Sequence, residues 1–229
     1  MQKVTHSEYI AQKKPLAKQL LAKLNEKYQY ASVLITDNYE KGYRASRSGV
    51  AISATNAFGG KGMIVKVYDG KGYAEYSTNE ITAENLPEIE REIEQQLMNP
   101  ANFIPEGTEE AEYKCISDEP CTLCEATDYE IHPREVGDEK LIETVTALRE
   151  KAVKADERIL DAITGFNYQE YHKLFLSANR ELEQSVLYST GIMALVAAKG
   201  EEIKQSFRGF SNLGGAELLD KMESAIPQC

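Results

Sequence analysis

Three cysteines in one short stretch, Cys115-x5-Cys121-x2-Cys124, followed by His132, are the residues best suited by type to hold a metal. Two thiolates separated by two residues can form one edge of a zinc tetrahedron, and a third thiolate with an imidazole would complete it. A structural zinc site usually brings two such paired knuckles, and this chain has a single CxxC, so three free thiols in an acidic loop is the competing reading. No bound metal is therefore expected, and Cys115, Cys121, Cys124 and His132 are the candidates if one is present. A redox role for the CxxC is disfavoured as well, because no βαβ pattern surrounds it and the nearby carboxylates oppose a thiolate.

The remaining chemistry-bearing residues are scattered. The three histidines, His6, His132 and His172, are far apart, and none forms the i, i+4 helical pair of a zinc protease. His172 falls in an alternating segment and reads as a strand residue; His132, before Pro133, reads as a loop residue. Gly59-Gly60-Lys61-Gly62 lies between strand patterns with no helix after it, so it reads as a turn rather than a phosphate cradle. Gly214-Gly215 precedes a helix pattern but lacks the Lys-Ser/Thr of a P-loop. No Ser/His/Asp or Cys/His set is recognisable, and the glutamates at 84, 88, 90, 92 and 94 read as the solvated face of a helix. No catalytic and no cofactor-binding residue is expected.

The elements that would position these residues form an α+β pattern of antiparallel sheets with flanking helices. A helix is predicted over 15–28, with Pro15 as its first residue and Leu16, Leu20, Leu21 and Leu24 as its apolar stripe. Strands follow at 31–36, 43–47, 50–55, 62–68 and 72–77, the last two joined by an Asp69-Gly70 hairpin turn. A second helix is predicted from about Thr82, restarting at Pro87, with Leu86, Ile89, Ile93 and Leu97 on one face. After Asp138, an expected N-cap, Leu141, Val145, Leu148 and Ala152 mark a third helix. Strands return at 159–164, 168–177, 181–188, 192–198 and 202–207, and a helix closes the pattern at 216–222. Both halves thus run helix, strands, helix, with 62–67 and 191–196 at equivalent places. A structural repeat and a chance resemblance of order both fit.

Between the halves, residues 98–137 hold four of the seven prolines and ten Asp/Glu against two Lys/Arg. The expected division is 1–98, an acidic Pro-rich linker at 99–137, and 138–229. Overall the chain has 229 residues, is 42% hydrophobic and 28% charged, and carries a net charge of −11. That charge opposes a general nucleic-acid or anionic-lipid surface. No apolar run is long enough to span a membrane, and residues 1–8 lack the apolar core of a signal peptide, so a cytoplasmic location is expected.

The segment Ala45-Ser46-Arg47-Ser48-Gly49-Val50, then Gly62-Met63-Ile64-Val65-Lys66-Val67, Gly72-Tyr73-Ala74 and Thr78, resembles the start of TldD/PmbA proteins, historically called modulators of DNA gyrase. His132-Pro133-Arg134-Glu135-Val136, the strands within 158–177 and the glycine-bearing loop 206–215 resemble that family's central region. The resemblance covers about 30–97 and 130–220. It implies dimeric or heterodimeric cytoplasmic peptidases acting on unfolded peptides, with zinc held in a C-terminal half by an HExxxH helix and a further cysteine. This chain has no HExxxH and closes on Ile226-Pro227-Gln228-Cys229, near where that half would begin. No family catalytic residue transfers to it, and zinc is expected only in the half it lacks. The implied role is a non-catalytic portion that shapes the peptide cavity and the dimer, with a homo- or heterodimeric partner. The alternative is a stand-alone binding or regulatory module.

Overall fold

A short strand, β1 (Gln2–Lys3), leads to Ser7, whose side chain accepts a hydrogen bond from the Ile10 amide at 3.1 Å. This satisfies one of the amides that a helix start leaves unpaired. The computed structural model describes residues 1–54, 60–98 and 113–229. Gly59, Pro100 and Pro105, with the stretch 99–112 of the expected linker, lie outside the described residues. The first helix, α1 (Glu8–Lys27), starts well before Pro15, which sits inside it. The Ser7 cap and the buried Ile10 extend the helix N-terminally, and only the hydrogen bond that proline cannot donate is lost.

The strands β2 (Tyr30–Ser46), β3 (Gly49–Ala54), β4 (Lys61–Tyr68) and β5 (Tyr73–Thr78) follow, and then α2 (Leu86–Met98). The β4–β5 turn is the expected hairpin: Gly70 has φ 102°, and Asp69 Oδ1 accepts from the Lys71 and Gly72 amides at 2.8 and 2.9 Å. Thr82 and Asn85 bond reciprocally, amide to side chain, before α2 begins at Leu86, with Pro87 in its first turn. Next come β6 (Cys121–Ala126), β7 (Asp128–Tyr129), α3 (Pro133–Val136) and α4 (Asp138–Lys154). The chain finishes with β8 (Ile159–Ser177), β9 (Arg180–Lys199), β10 (Glu202–Asn212), α5 (Leu218–Ser224) and a 3-10 turn, Ile226–Gln228.

An eight-stranded sheet has the path β10-β9-β8-β2-β4-β5, with β3 beside β2 and β6 beside β9. Its order is symmetric about the β2–β8 contact. On each side the strand after a helix lies at the centre, the next lies beside it, and the last lies at the edge. Residues 62–67 and 191–196 occupy the same place in this symmetry, in β4 and β9. The similar halves are therefore real, but they are not separated. Strand β2 pairs antiparallel with β8 at fourteen positions, from Ser32–Ser177 to Ala45–Thr164, so one sheet runs through both 1–98 and 138–229. The described part of the expected linker also carries strands: β6 pairs parallel with β9, and β7 pairs with β1.

All the helices that build the two cores lie on one face of this sheet. Alternation along β2 and β8 sends Val33, Ile35, Tyr43 and Ala45, with Phe166, Tyr168, Leu174 and Leu176, to that face. At one end Leu20, Leu21 and Leu24 of α1 and Ile89 and Ile93 of α2 cover it. At the other, Leu141, Val145 and Leu148 of α4 and Met222 of α5 do the same. Asp138 is not the N-cap of α4; Gly137 is. The Asp138 carboxylate instead accepts from Lys41 Nζ at 2.5 Å and from the Tyr43 hydroxyl at 2.7 Å, anchoring α4 to β2. Among the described residues, no helix is long and apolar enough to cross a membrane.

Candidate functional site

Strand β6 places Cys121 opposite Arg180 and Cys124 opposite Glu183. Side chains three apart on a strand point to opposite faces, so this CxxC does not form a metal knuckle. Cys115 lies exposed in the extended segment before β6. His132 caps α3, its Nδ1 accepting from the Arg134 amide at 3.3 Å, and its Nε2 faces Glu170 rather than any thiol. The four predicted donors are not brought together, and among the described residues no group of three His, Cys, Asp or Glu is arranged to hold a metal. The donor set suggested by the cysteine spacing therefore does not fit a zinc ion among the described residues.

What the structure does assemble was not expected. All three histidines meet in a polar seam between the two apolar cores, on the helix-covered face. His172 Nδ1 and His6 Nδ1 each lie 2.9 Å from Ser185 Oγ. His172 Nε2 and His132 Nε2 each lie 3.7 Å from a carboxylate oxygen of Glu170. Arg134 Nε stands 2.6 Å from Glu170 Oε1 while its guanidinium lies over the Tyr39 ring at 4.2 Å. Beside them, Ser7 Oγ donates to Asp37 at 2.6 Å, and Asp37 is the register partner of His172.

Burial makes this seam electrostatically demanding. Glu170 is 7% exposed, His172 8% and Ser185 1%. Burial alone would push the Glu170 carboxyl up. The polar contact with His172 and the positive field of Arg134 outweigh it, and the group is held below its ordinary value. Nearby, burial and a hydrogen bond with Tyr39 push the Tyr168 phenol far up. The Ser185, His172 and Glu170 side chains have the composition of a hydrolytic triad, but a serine with 1% exposure cannot meet a substrate. The place a cation would take beside Glu170 is filled by Arg134. The seam joins the two halves through side-chain contacts.

Among the described residues, no helix covers the opposite face of the sheet. Register aligns Ile64, Leu34, Phe175, Leu182 and Leu123 in one apolar row across β4, β2, β8, β9 and β6. Towards the other end, Phe207 of β10, Ala194 of β9 and Ile163 of β8 align likewise, and Phe207 is 71% exposed. Tyr171, Gln169 and Tyr188 lie between them. An apolar row on an open sheet face marks a contact surface. Among the described residues, the edges β5 and β10 leave one side of their backbones without a strand partner, and such edges can accept an extended chain. Sequence periodicity identified these strands but could not show which face lacks helices.

No protein-family model matches the chain, and no curated protein matches it by sequence. Solved structures do. A crystal structure assigned as a modulator of DNA gyrase from Bacteroides thetaiotaomicron is similar over 93% of this chain and 49% of its own, at 18% identity and a TM-score of 0.62. One from Thermotoga maritima, assigned likewise, is similar over 94% and 47%, at 12% identity and a TM-score of 0.68. TldE from Thermococcus kodakarensis is similar over 93% and 46%, at 11% identity and a TM-score of 0.64. The chain spans about half the length of each of these structures. Over nearly all of its own length, then, this chain has a TldD/PmbA-like fold, shared with modulators of DNA gyrase and with TldE.

Proposed function

We propose that this chain is a non-catalytic portion of a TldD/PmbA-like metallopeptidase, whose sheet helps wall a peptide-accepting cavity and supports a second subunit, the same chain or a paralogue. One observation carries the reading: the fold similarity takes in almost the whole chain but only about half of each matched structure. The described residues offer no donor set for zinc, so the metal and its chemistry belong to the other half in this reading. The open sheet face with its apolar row supplies a contact surface. The free backbones of β5 and β10 can bind an unfolded peptide by main-chain hydrogen bonds without reading its sequence.

The test combines this chain with a polypeptide that carries the metal-binding half and follows cleavage of an unstructured peptide. The chain alone is expected to leave the peptide intact, and the combination to cleave it. Phe175→Asp and Ile64→Asp, on the open face, are expected to weaken association at least tenfold while far-UV dichroism stays unchanged. Association and cleavage unaffected by both substitutions would remove the open face from this role. Metal-dependent cleavage by the purified chain alone would overturn the non-catalytic reading, and tight peptide binding without any partner would favour a stand-alone binding module.

A further inference from the structure

Cys124 and Cys121 share one edge strand, and both thiols are exposed. Only Cys124 has an imidazole beside it: His6 Nε2 lies 3.4 Å from its sulfur. The other nitrogen of His6 is held from behind, 2.9 Å from Ser185 Oγ and 3.8 Å from Glu183 Oε1. Glu183 is itself fixed by Lys14 Nζ at 2.8 Å. Nucleophile, base and a group orienting the base thus stand in order at the surface.

The buried seam sets the direction of this arrangement. The carboxylate of Glu170, 3.7 Å away, favours a proton on the His172 nitrogen that faces it. His172 Nδ1 is then an acceptor and takes the Ser185 hydroxyl proton. Ser185 Oγ keeps lone pairs free and accepts from His6 Nδ1–H. The remaining nitrogen, His6 Nε2, presents its lone pair to the Cys124 thiol. With that tautomer the contacts at Ser185 and Cys124 match donor to acceptor, and His6 is left as a base.

We propose that Cys124 is an exchange-active thiol that takes low-molecular-weight disulfides, with His6 as its base and Ser185 and Glu183 as positioning residues. The Cys124 sulfur attacks one sulfur of the small disulfide as the thiol proton passes to His6 Nε2. A new S–S bond forms to Cys124 while the old S–S bond breaks. The departing thiolate takes the proton back from His6, and Glu183 faces the transient imidazolium. Cys124 is oxidised, the departing sulfur is reduced, and no other oxidant is needed. Cys121, on the opposite face of the strand, is not placed to resolve the mixed disulfide, so the product persists until an external thiol removes it.

The experiment exposes the intact chain to glutathione disulfide and follows each cysteine by peptide mass mapping, with Cys121 as the internal control. At pH 7 Cys124 is expected to react about a hundredfold faster than Cys121, the low end for a positioned base. In His6→Gln the Cys124 rate falls to that of Cys121; in Ser185→Ala it falls part of the way. Equal rates at the two cysteines in the unaltered chain, or an unchanged Cys124 rate in His6→Gln, would overturn the proposal. Should His6→Gln disturb the fold, the pH profile of the unaltered chain decides. A Cys124 profile displaced to lower pH than that of Cys121 supports the base, and parallel profiles refute it.

Discussion

Glu170 is a carboxylate buried among positive groups, and that has a consequence for stability. Its folded value lies below its ordinary one, so at acidic pH the unfolded chain binds more protons at this position than the folded chain. The stabilisation is complete above the unfolded value of about 4.3 and is lost as pH falls through the lower folded value. Glu170→Gln is expected to make the loss of stability below about pH 5 shallower than in the unaltered chain, measured by urea midpoints across the acid range. Identical slopes would assign the acid sensitivity to other carboxylates. None of this network was legible in the sequence. His6, His132 and His172 come from separate segments, and what joins them is register: Asp37 meets His172, and His172 meets Ser185, only once three strands have paired. The cysteine cluster looked more promising because its members are close in sequence, but strand alternation separates Cys121 from Cys124.

At the scale of elements, local signals were legible where local physics decides. The apolar stripe of α4 and the Asp69-Gly70 hairpin follow from periodicity and turn chemistry, and both form. The long strands were missed because Gly165 and Gly191 look like breaks, yet β8 and β9 run through them for 19 and 20 residues. Gly191 is tolerated because Met222 of α5 fills the space its missing side chain leaves. Gly191→Ala therefore forces its new methyl against the Met222 sulfur and is expected to destabilise the fold by about 1–3 kcal/mol. Met222→Ala in the same chain should recover part of that loss, so the two effects will not add. Chemical denaturation of the two single variants and the double variant checks this, and strict additivity would mean that Met222 is not the obstacle.

For the whole molecule, the deciding feature is the β2–β8 contact, which makes two similar halves one sheet. Proline and carboxylate density suggested a boundary at 99–137, because composition registers loops and cannot register a partner strand encoded far away. Leu24 lies in one core and Leu148 in the other. Truncating either, as Leu24→Ala or Leu148→Ala, should cost about 2–5 kcal/mol. Because the sheet is shared, each variant is expected to shift a single cooperative transition seen identically by tyrosine fluorescence and far-UV dichroism. Two resolved transitions, with only one moved by each substitution, would show that the halves melt apart.

The same contact imposes an order on synthesis. Strand β2 is made early, but its partner β8 starts only at Ile159. At roughly 5–20 residues per second on a ribosome, more than a hundred residues must emerge first. For on the order of ten seconds the nascent chain therefore holds a long strand with one bare edge. That interval favours wrong pairings between neighbouring chains. Expression yield should then depend on translation speed and chaperone supply more than the stability of the finished sheet would suggest.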